Sequence, residues 1–410
     1  MRNDTEKQSI RWYAQKWLFD NTIALLGPEV IASGALNNTY DRIGYDVLQE
    51  VQLLRARVRR FGDLGREAKR LGARREAFAK ENEAQKHFVA ARENYFAASL
   101  FYGSARWTIF EEGNPLLQQL DSKVTECYQK YAQYADHPVE RVKIPFEGST
   151  LPAYFHRPSG EAKRFPVVVV LQGMDSFKEQ GTRLYGDRML QRGFAVLAFE
   201  GPGQGEAVSA GLKVKVDSFD RAAKAVMDYL ATRKDVSMDR VGLYGLSFGT
   251  YWGPRMMASE PRIKAGAFVA TASMQPGGEA VFDYSHPAYK LRHMFMAGFT
   301  DEDRFDEEYA SKLSLAGFGP KIKNPVMFAA GDEDFLAPIE STYEFYKTIA
   351  GPKRLVIYEG QPHGVGDPQL SSTVGDFFSD LFAGIPLDSG ITLVESGTEK
   401  RLQLKEYTPP

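Results

Sequence analysis

Cysteine is almost missing from this chain. The single Cys127 among 410 residues excludes an intrachain disulfide and a cysteine-built zinc cluster, and it fits a reducing compartment. An excess of one charge is missing too: 51 Lys and Arg against 53 Asp and Glu leave a formal net charge of -2, so no global field draws the chain to nucleic acid or an anionic membrane. No apolar run is long enough to span a bilayer. The amino-terminal MRNDTEKQSIRWYAQKW is interrupted by charge where a secretory signal needs an apolar core, so the chain reads as cytoplasmic.

What is present has the composition of a folded protein, 43% hydrophobic and 25% charged, with length for one large domain and a smaller one. Residues 9–136 hold few Gly and Pro, and their apolar residues recur at three- and four-residue spacing, as in YFAASLFYGSARWTIF from Tyr95 to Phe110. That spacing predicts helices. VQLLRARVRRFGDLGREAKRLGARREAF reads as one or two amphipathic helices, and LLQQLDSKVTECYQKYAQYA as another. Nine basic and two acidic residues between Arg55 and Arg75 could meet an acidic partner; the simpler expectation is a solvated helix face.

The period changes at Val139. Short β-rich runs follow (VERVKIPF, LPAYFH, PVVVVLQG, FAVLAFEG, RVGLYG, AGAFVAT, NPVMFAAGDED and RLVIYEG), and the later ones are separated by stretches able to form helices, such as SFDRAAKAVMDYLATR. This alternation predicts an α/β fold with a mainly parallel sheet covered on both faces. The expected division is a helical region over 1–137, an α/β domain over 138–385, and a tail or short hairpin over 386–410. Residues 274–323, with weaker periodicity between two predicted strands, read as an excursion near the site.

The chemistry is carried by Gly245-Leu246-Ser247-Phe248-Gly249, between a predicted strand and a predicted helix. Glycines flank such a serine because the tight strand-to-helix turn leaves no room for neighbouring side chains. A serine hydroxyl is a weak nucleophile until a base takes its proton, so a late histidine and an orienting acid are required. Of the six histidines only His363, in IYEGQPHGVG, follows a late strand; His87, His137, His156, His286 and His293 read as structural or solvent-exposed. The acid comes from MFAAGDEDFLAP, where Asp334 is chosen over Asp332, taken as a turn-former. Oxyanion donors are expected at the backbone N–H of Phe248 and in the Gln172-Gly173-Met174 turn, at Met174 with Gly173 next. The glycine-rich FEGPGQGEA, Phe199 to Ala207, lacks a phosphate-binding pattern and reads as a structural loop. The chemistry calls for a small-molecule carbonyl substrate, with no cofactor and no metal.

GLSFG, the GDED turn, the QPHG loop and FEGPGQGEA together resemble the α/β-hydrolases. More narrowly, LPAYFHRPSG, LQGMDSFKEQG and FEGPGQGEA after a helical amino-terminal region are similar to the branch of 2,6-dihydroxypseudooxynicotine hydrolase and the fungal polyketide-shortening hydrolases of melanin biosynthesis, and to fermentation-respiration switch protein relatives. The resemblance implies a helical cap over the site, Ser247, Asp334 and His363 as triad, and a homodimer. In several members it implies hydrolysis of a carbon-carbon bond beside a ketone, with an extra acid for which Glu279 and Asp283 are the candidates; a carboxylesterase or peptidase needs no such group. Tyr95, Tyr102 and Trp107 could line an aromatic substrate pocket in that cap, or pack as helix core. A non-catalytic regulatory protein on the same fold is the alternative of another class.

Overall fold

The computed structural model describes residues 10–27, 48–160, 162–174, 176–181, 187–270, 278–367, 369–398 and 400–409. The charged residues 1–9 and the start of the excursion, 274–277, lie outside them.

Among the described residues five α-helices come first: α1 (Ile10–Leu26), α2 (Leu48–Arg57), α3 (Phe61–Ala84), α4 (Phe88–Ala105) and α5 (Pro115–Gln133). The long amphipathic stretch is therefore two helices, broken before Phe61. Asn114 starts α5 by accepting the N–H groups of Leu116 and Leu117, with Pro115 in the first turn where its missing N–H leaves no bond unmade. Six of the residues that α5 buries, Leu117, Leu120, Val124, Cys127, Tyr128 and Tyr131, recur at helical spacing and face one way. Four of the nine basic residues between Arg55 and Arg75 pair within the helical region: Arg66 with Asp63, Arg57 and Arg70 with Glu67, and Arg75 with Glu50.

From Val139 the chain builds a ten-stranded sheet of order β1-β2-β4-β3-β5-β6-β7-β8-β9-β10. The members are β1 (Val139–Phe146), β2 (Ser149–His156), β3 (Phe165–Leu171), β4 (Ala195–Phe199), β5 (Val236–Leu246), β6 (Ala265–Val269), β7 (Val326–Gly331), β8 (Lys353–Tyr358), β9 (Gly390–Val394) and β10 (Arg401–Leu404). Strands β3 to β9 pair in parallel, while β2 and β10 run against them and β1 pairs antiparallel with β2 at the edge. The hairpin of β9 and β10 lengthens the sheet at its far side.

Helices cover both faces, which is why β3 reads as an unbroken apolar run. Val167, Val169 and Leu171 enter one core and Val168 and Val170 the other. Full burial of each such side chain contributes about 1.5–3 kcal/mol. After the short helices α6 (Asp187–Gln191) and α7 (Gly205–Ser209), α8 (Ser218–Thr232) packs on α9 (Gly249–Ser259) on the first face, with Phe219 stacked on Trp252 at 4.0 Å. Among its described residues the excursion holds three short α-helices, α10 (Glu279–Phe282), α11 (Pro287–Ala297) and α12 (Glu302–Glu308). Lys290, 4% exposed, ties them through Asp283, Glu302 and Asp306.

The helical layer packs against β2, the loop after β3 and α11, since Tyr154, Phe177 and Phe295 share its core. At Gly103 of α4 a Cβ would collide with the buried Phe177 ring, and the Arg106 guanidinium lies 4.8 Å from the centre of that ring. Gly62, in the first turn of α3, has open space around it. Helix propensity alone would make Gly→Ala stabilising by up to about 1 kcal/mol at either position. The structure predicts opposite signs. In urea unfolding, Gly62→Ala should be neutral or stabilising, whereas Gly103→Ala should lower stability by about 1–3 kcal/mol through overpacking. A rise in midpoint for Gly103→Ala would contradict the docking described here.

Candidate active site

Strand β5 ends at Leu246 and α9 begins at Gly249, so Ser247 and Phe248 alone reverse the chain. Ser247 takes φ +52°, in the left-handed region that a non-glycine residue occupies only when its surroundings dictate it. The surroundings here are backbone bonds: Ser247 N–H donates to the Val269 carbonyl at 3.0 Å, and Thr250 N–H donates to the Ser247 carbonyl at 2.7 Å. A Cβ at Gly249 would lie 2.6 Å from the Leu171 oxygen, and one at Gly245 2.6 Å from the Gly249 oxygen. Both obstacles are backbone and cannot rotate away, which explains the glycine on each side.

Asp334 and His363 come from the turns after β7 and β8. One Asp334 oxygen accepts the N–H groups of Leu336 and Ala337, each at 3.0 Å. The other lies 2.7 Å from His363 Nδ1, and His363 Nε2 lies 2.8 Å from Ser247 Oγ. The Asp334 side chain is fully buried, with 0% exposed, and His363 retains 18%. With Nδ1–H donated to the carboxylate, the Nε2 lone pair faces the serine proton. Asp332 does something different: it accepts the Gly360 N–H at 2.7 Å and so ties the two turns together. Gly331 allows this closeness, because a Cβ there would collide with the Gln361 carbonyl.

The turn after β3 runs alongside the serine. A Cβ at Gly173 would lie 3.2 Å from the Ser247 Cβ. Among the described residues, no turn or loop carbonyl takes the N–H of Phe248 or of Met174. Behind this turn lies a buried charged group: Lys178 Nζ is 2.8 Å from Glu179, 3.1 Å from Glu200 and 3.1 Å from Glu206. Burial opposes the lysine's charge, but the three carboxylates outweigh it and raise its pKa, while burial pushes the Glu179 carboxyl upward. No local pattern singles out this cluster, since buried charges carry no signature in the residues around them.

The other candidates fall elsewhere. Tyr95 donates to Glu83 and Tyr102 to Glu76, and Trp107 packs against Phe61 and Tyr289, partners that lie in the helical layer and α11. Tyr95 also lines a cavity of about 360 Å³ together with Glu76, Lys123, Cys127 and Lys130. A groove of about 570 Å³ borders the His363 loop at Gln361, Gly366 and Asp367 without including Ser247. Glu279 and Asp283 are exposed, and Asp283 pairs with Lys290 at 3.2 Å. Of the other histidines, His156 is buried and bonded to His137, His286 accepts the Ala288 N–H, and His293 meets the Tyr309 hydroxyl. Among the described residues no three His, Cys, Asp or Glu side chains gather as metal ligands, and no helix is long and apolar enough to cross a membrane.

A model of the family described as esterase FrsA-like matches residues 71–297, more than half of the chain. The 2,6-dihydropseudooxynicotine hydrolase of Paenarthrobacter nicotinovorans is 30% identical over 190 residues, 45% of this chain and 50% of the relative. The alpha/beta hydrolase xenA of Xenoacremonium sinensis is 30% identical over 207 residues, 48% of each chain. The matches thus span about half the length of these curated relatives. The crystal structure of 2,6-dihydroxy-pseudo-oxynicotine hydrolase superposes with a TM-score of 0.70 at 21% identity, covering 92% of this chain and 98% of that one. At that identity the likeness shows the fold, that of an α/β-hydrolase.

Tyr102 yields a test of its own packing. Burial by itself would raise the Glu76 pKa, but hydrogen bonds from Lys80, Lys123 and Tyr102 hold it at about 2 against an ordinary 4.5. A folded-state pKa below the unfolded one stabilises fully above the unfolded value, and that stability is lost as pH falls through the folded value. Between about pH 5 and about pH 3 the thermal midpoint of the wild type should therefore fall more than that of Glu76→Gln. Equal falls would sink this account.

Proposed function

The chain belongs to the esterase FrsA-like family, and from that premise we propose that it is a serine hydrolase acting on a carbonyl of a small organic molecule. The observation that carries the reading is the unbroken line of contacts from Asp334 through His363 to Ser247, at 2.7 and 2.8 Å. In this mechanism His363 takes the Ser247 proton as Oγ attacks the carbonyl carbon. The oxyanion rests on the N–H groups of Phe248 and Met174, with Gly173 next to them. Collapse expels the leaving group, which His363 protonates, and water then releases the acyl group by the same steps. Asp334 fixes the imidazole tautomer and stabilises the imidazolium without taking the proton. The helices before Val139 act as a cap, a role supported by the docking of Phe177 on α4.

The bond cleaved is a carbon-carbon bond beside a ketone in an aromatic or polyketide-like molecule, a reading that rests on the resemblance to 2,6-dihydroxypseudooxynicotine hydrolase. Such a bond needs its carbanion stabilised by the ketone, while an ester oxygen, protonated by His363, leaves far more easily. A second reading, a carboxylesterase, is favoured by one observation: Glu279 and Asp283, the candidates for an extra acid, are exposed.

A fluorophosphonate probe should label Ser247, and the label should vanish in Ser247→Ala. Asp334→Asn should reduce turnover by about 10⁴ through loss of the correct tautomer. Turnover of aryl β-diketones in preference to short nitrophenyl esters selects the carbon-carbon reading, and the reverse preference selects the esterase. Folded protein that takes no label and turns over neither substrate class would contradict catalysis and point to a binding protein on a hydrolase fold.

A further inference from the structure

We infer that Gln204, in the glycine-rich loop after β4, is the positioning residue that aims the oxyanion-binding N–H groups at Ser247. The inference rests on the serine-hydrolase reading above and adds a residue to it. Gln204 is completely buried, with 0% exposed. Its Oε1 accepts the Gly201 N–H at 2.9 Å, and its Nε2 donates to the Gln172 carbonyl at 3.1 Å and the Gly173 carbonyl at 2.9 Å. The orientation of the amide is fixed by its partners: an N–H can only donate and a carbonyl can only accept, so Oε1 must face Gly201 and Nε2 the two carbonyls.

The consequence follows from peptide geometry. In a trans peptide the C=O and the next residue's N–H point in opposite directions. Drawing the Gly173 carbonyl toward Gln204 turns the Met174 N–H away from Gln204, and the Gln172 carbonyl does the same for the Gly173 N–H. Strand order then says where these groups point. The sheet runs β2-β4-β3-β5, so the turn after β3 lies between the β4 loop that carries Gln204 and the β5 turn that carries Ser247. Away from Gln204 is therefore toward the serine, and Gly173 does abut Ser247. The same loop makes a second attachment farther along, where Glu200 accepts from Lys178 Nζ at 3.1 Å and from the Glu206 N–H at 2.8 Å.

Without Nε2 the two carbonyls lose their donors inside the protein, and the peptide planes are free to rotate. Losing an oxyanion donor outright costs about 10²–10³ in kcat, and misaiming one should cost from about tenfold up to that ceiling. The experiment compares wild type, Gln204→Met and Gln204→Glu with p-nitrophenyl butyrate as substrate and an alkyl trifluoromethyl ketone as oxyanion-forming inhibitor. Met keeps the volume without a donor, and Glu keeps the acceptor for Gly201 while setting an oxygen against the carbonyls. The expected result is a fall in kcat of at least about tenfold, KM changed by less than about threefold, and inhibitor affinity weakened in step with kcat. A merely structural role would lower the amount of folded enzyme without changing inhibitor affinity per folded site, and that result would overturn the inference. So would wild-type kcat in either folded variant, or loss of the fold in both. Ser247→Ala separates the two claims: if turnover depends on Ser247 while Gln204 proves dispensable, only the inference about Gln204 falls. Wild-type turnover that does not depend on Ser247 would remove the hydrolase reading and this inference together.

Discussion

At the carboxyl edge of the sheet the turn after β3 and the start of α9 meet backbone to backbone. Gly249 faces the Leu171 carbonyl and Gly173 faces Ser247, with no side chain between them. Interiors pack to near-crystalline density, so one extra carbon there would have to move a strand end or a helix end. The rest of the site depends on this contact. It forces Ser247 into a left-handed turn, presents its hydroxyl to His363, and brings the N–H groups of the β3 turn next to the serine.

Two further glycines act alike at greater range. Gly331 admits the Gln361 backbone, so the turns that carry Asp334 and His363 touch, and Gly103 admits the Phe177 ring, so the loop after β3 seats on the helical layer. Beside the same loop lies the cluster of Lys178, Glu179 and Glu200, all buried, with the half-buried Glu206. Buried charges of this kind are costly unless paired, and here one lysine serves three carboxylates from two loops. The loop after β3 is thus fixed by side chains from the helices and from the β4 loop.

The parallel sheet was legible because strands covered on both faces must be apolar throughout, as PVVVVL is, and the intervening segments carry helical spacing. The elbow was legible because left-handed turns and close approaches demand glycine at fixed offsets. His363 and Asp334 were legible by position, each directly after a late strand. Other features were not. The aromatic residues Tyr95, Tyr102 and Trp107 have the same helical spacing whether they line a pocket or pack inward, and spacing does not reveal that Glu83 and Glu76 take the two hydroxyls. The break between α2 and α3 falls within a continuous amphipathic pattern, so periodicity alone left one helix or two.

The sequence by itself determined the element types, the mainly parallel sheet and the sharp turn at Ser247, since each is written in patterns of residues a few positions apart. Only the tertiary structure decided that FEGPGQGEA braces the turn after β3. Gln204 stands about thirty residues from Gln172 and Gly173 and meets them only because β4 and β3 are neighbours in the sheet. A glutamine in a glycine-rich loop has no periodicity and no charge to betray its partners. Its hydrogen bonds are to backbone carbonyls, which every residue possesses, so no pattern of side chains could have announced them.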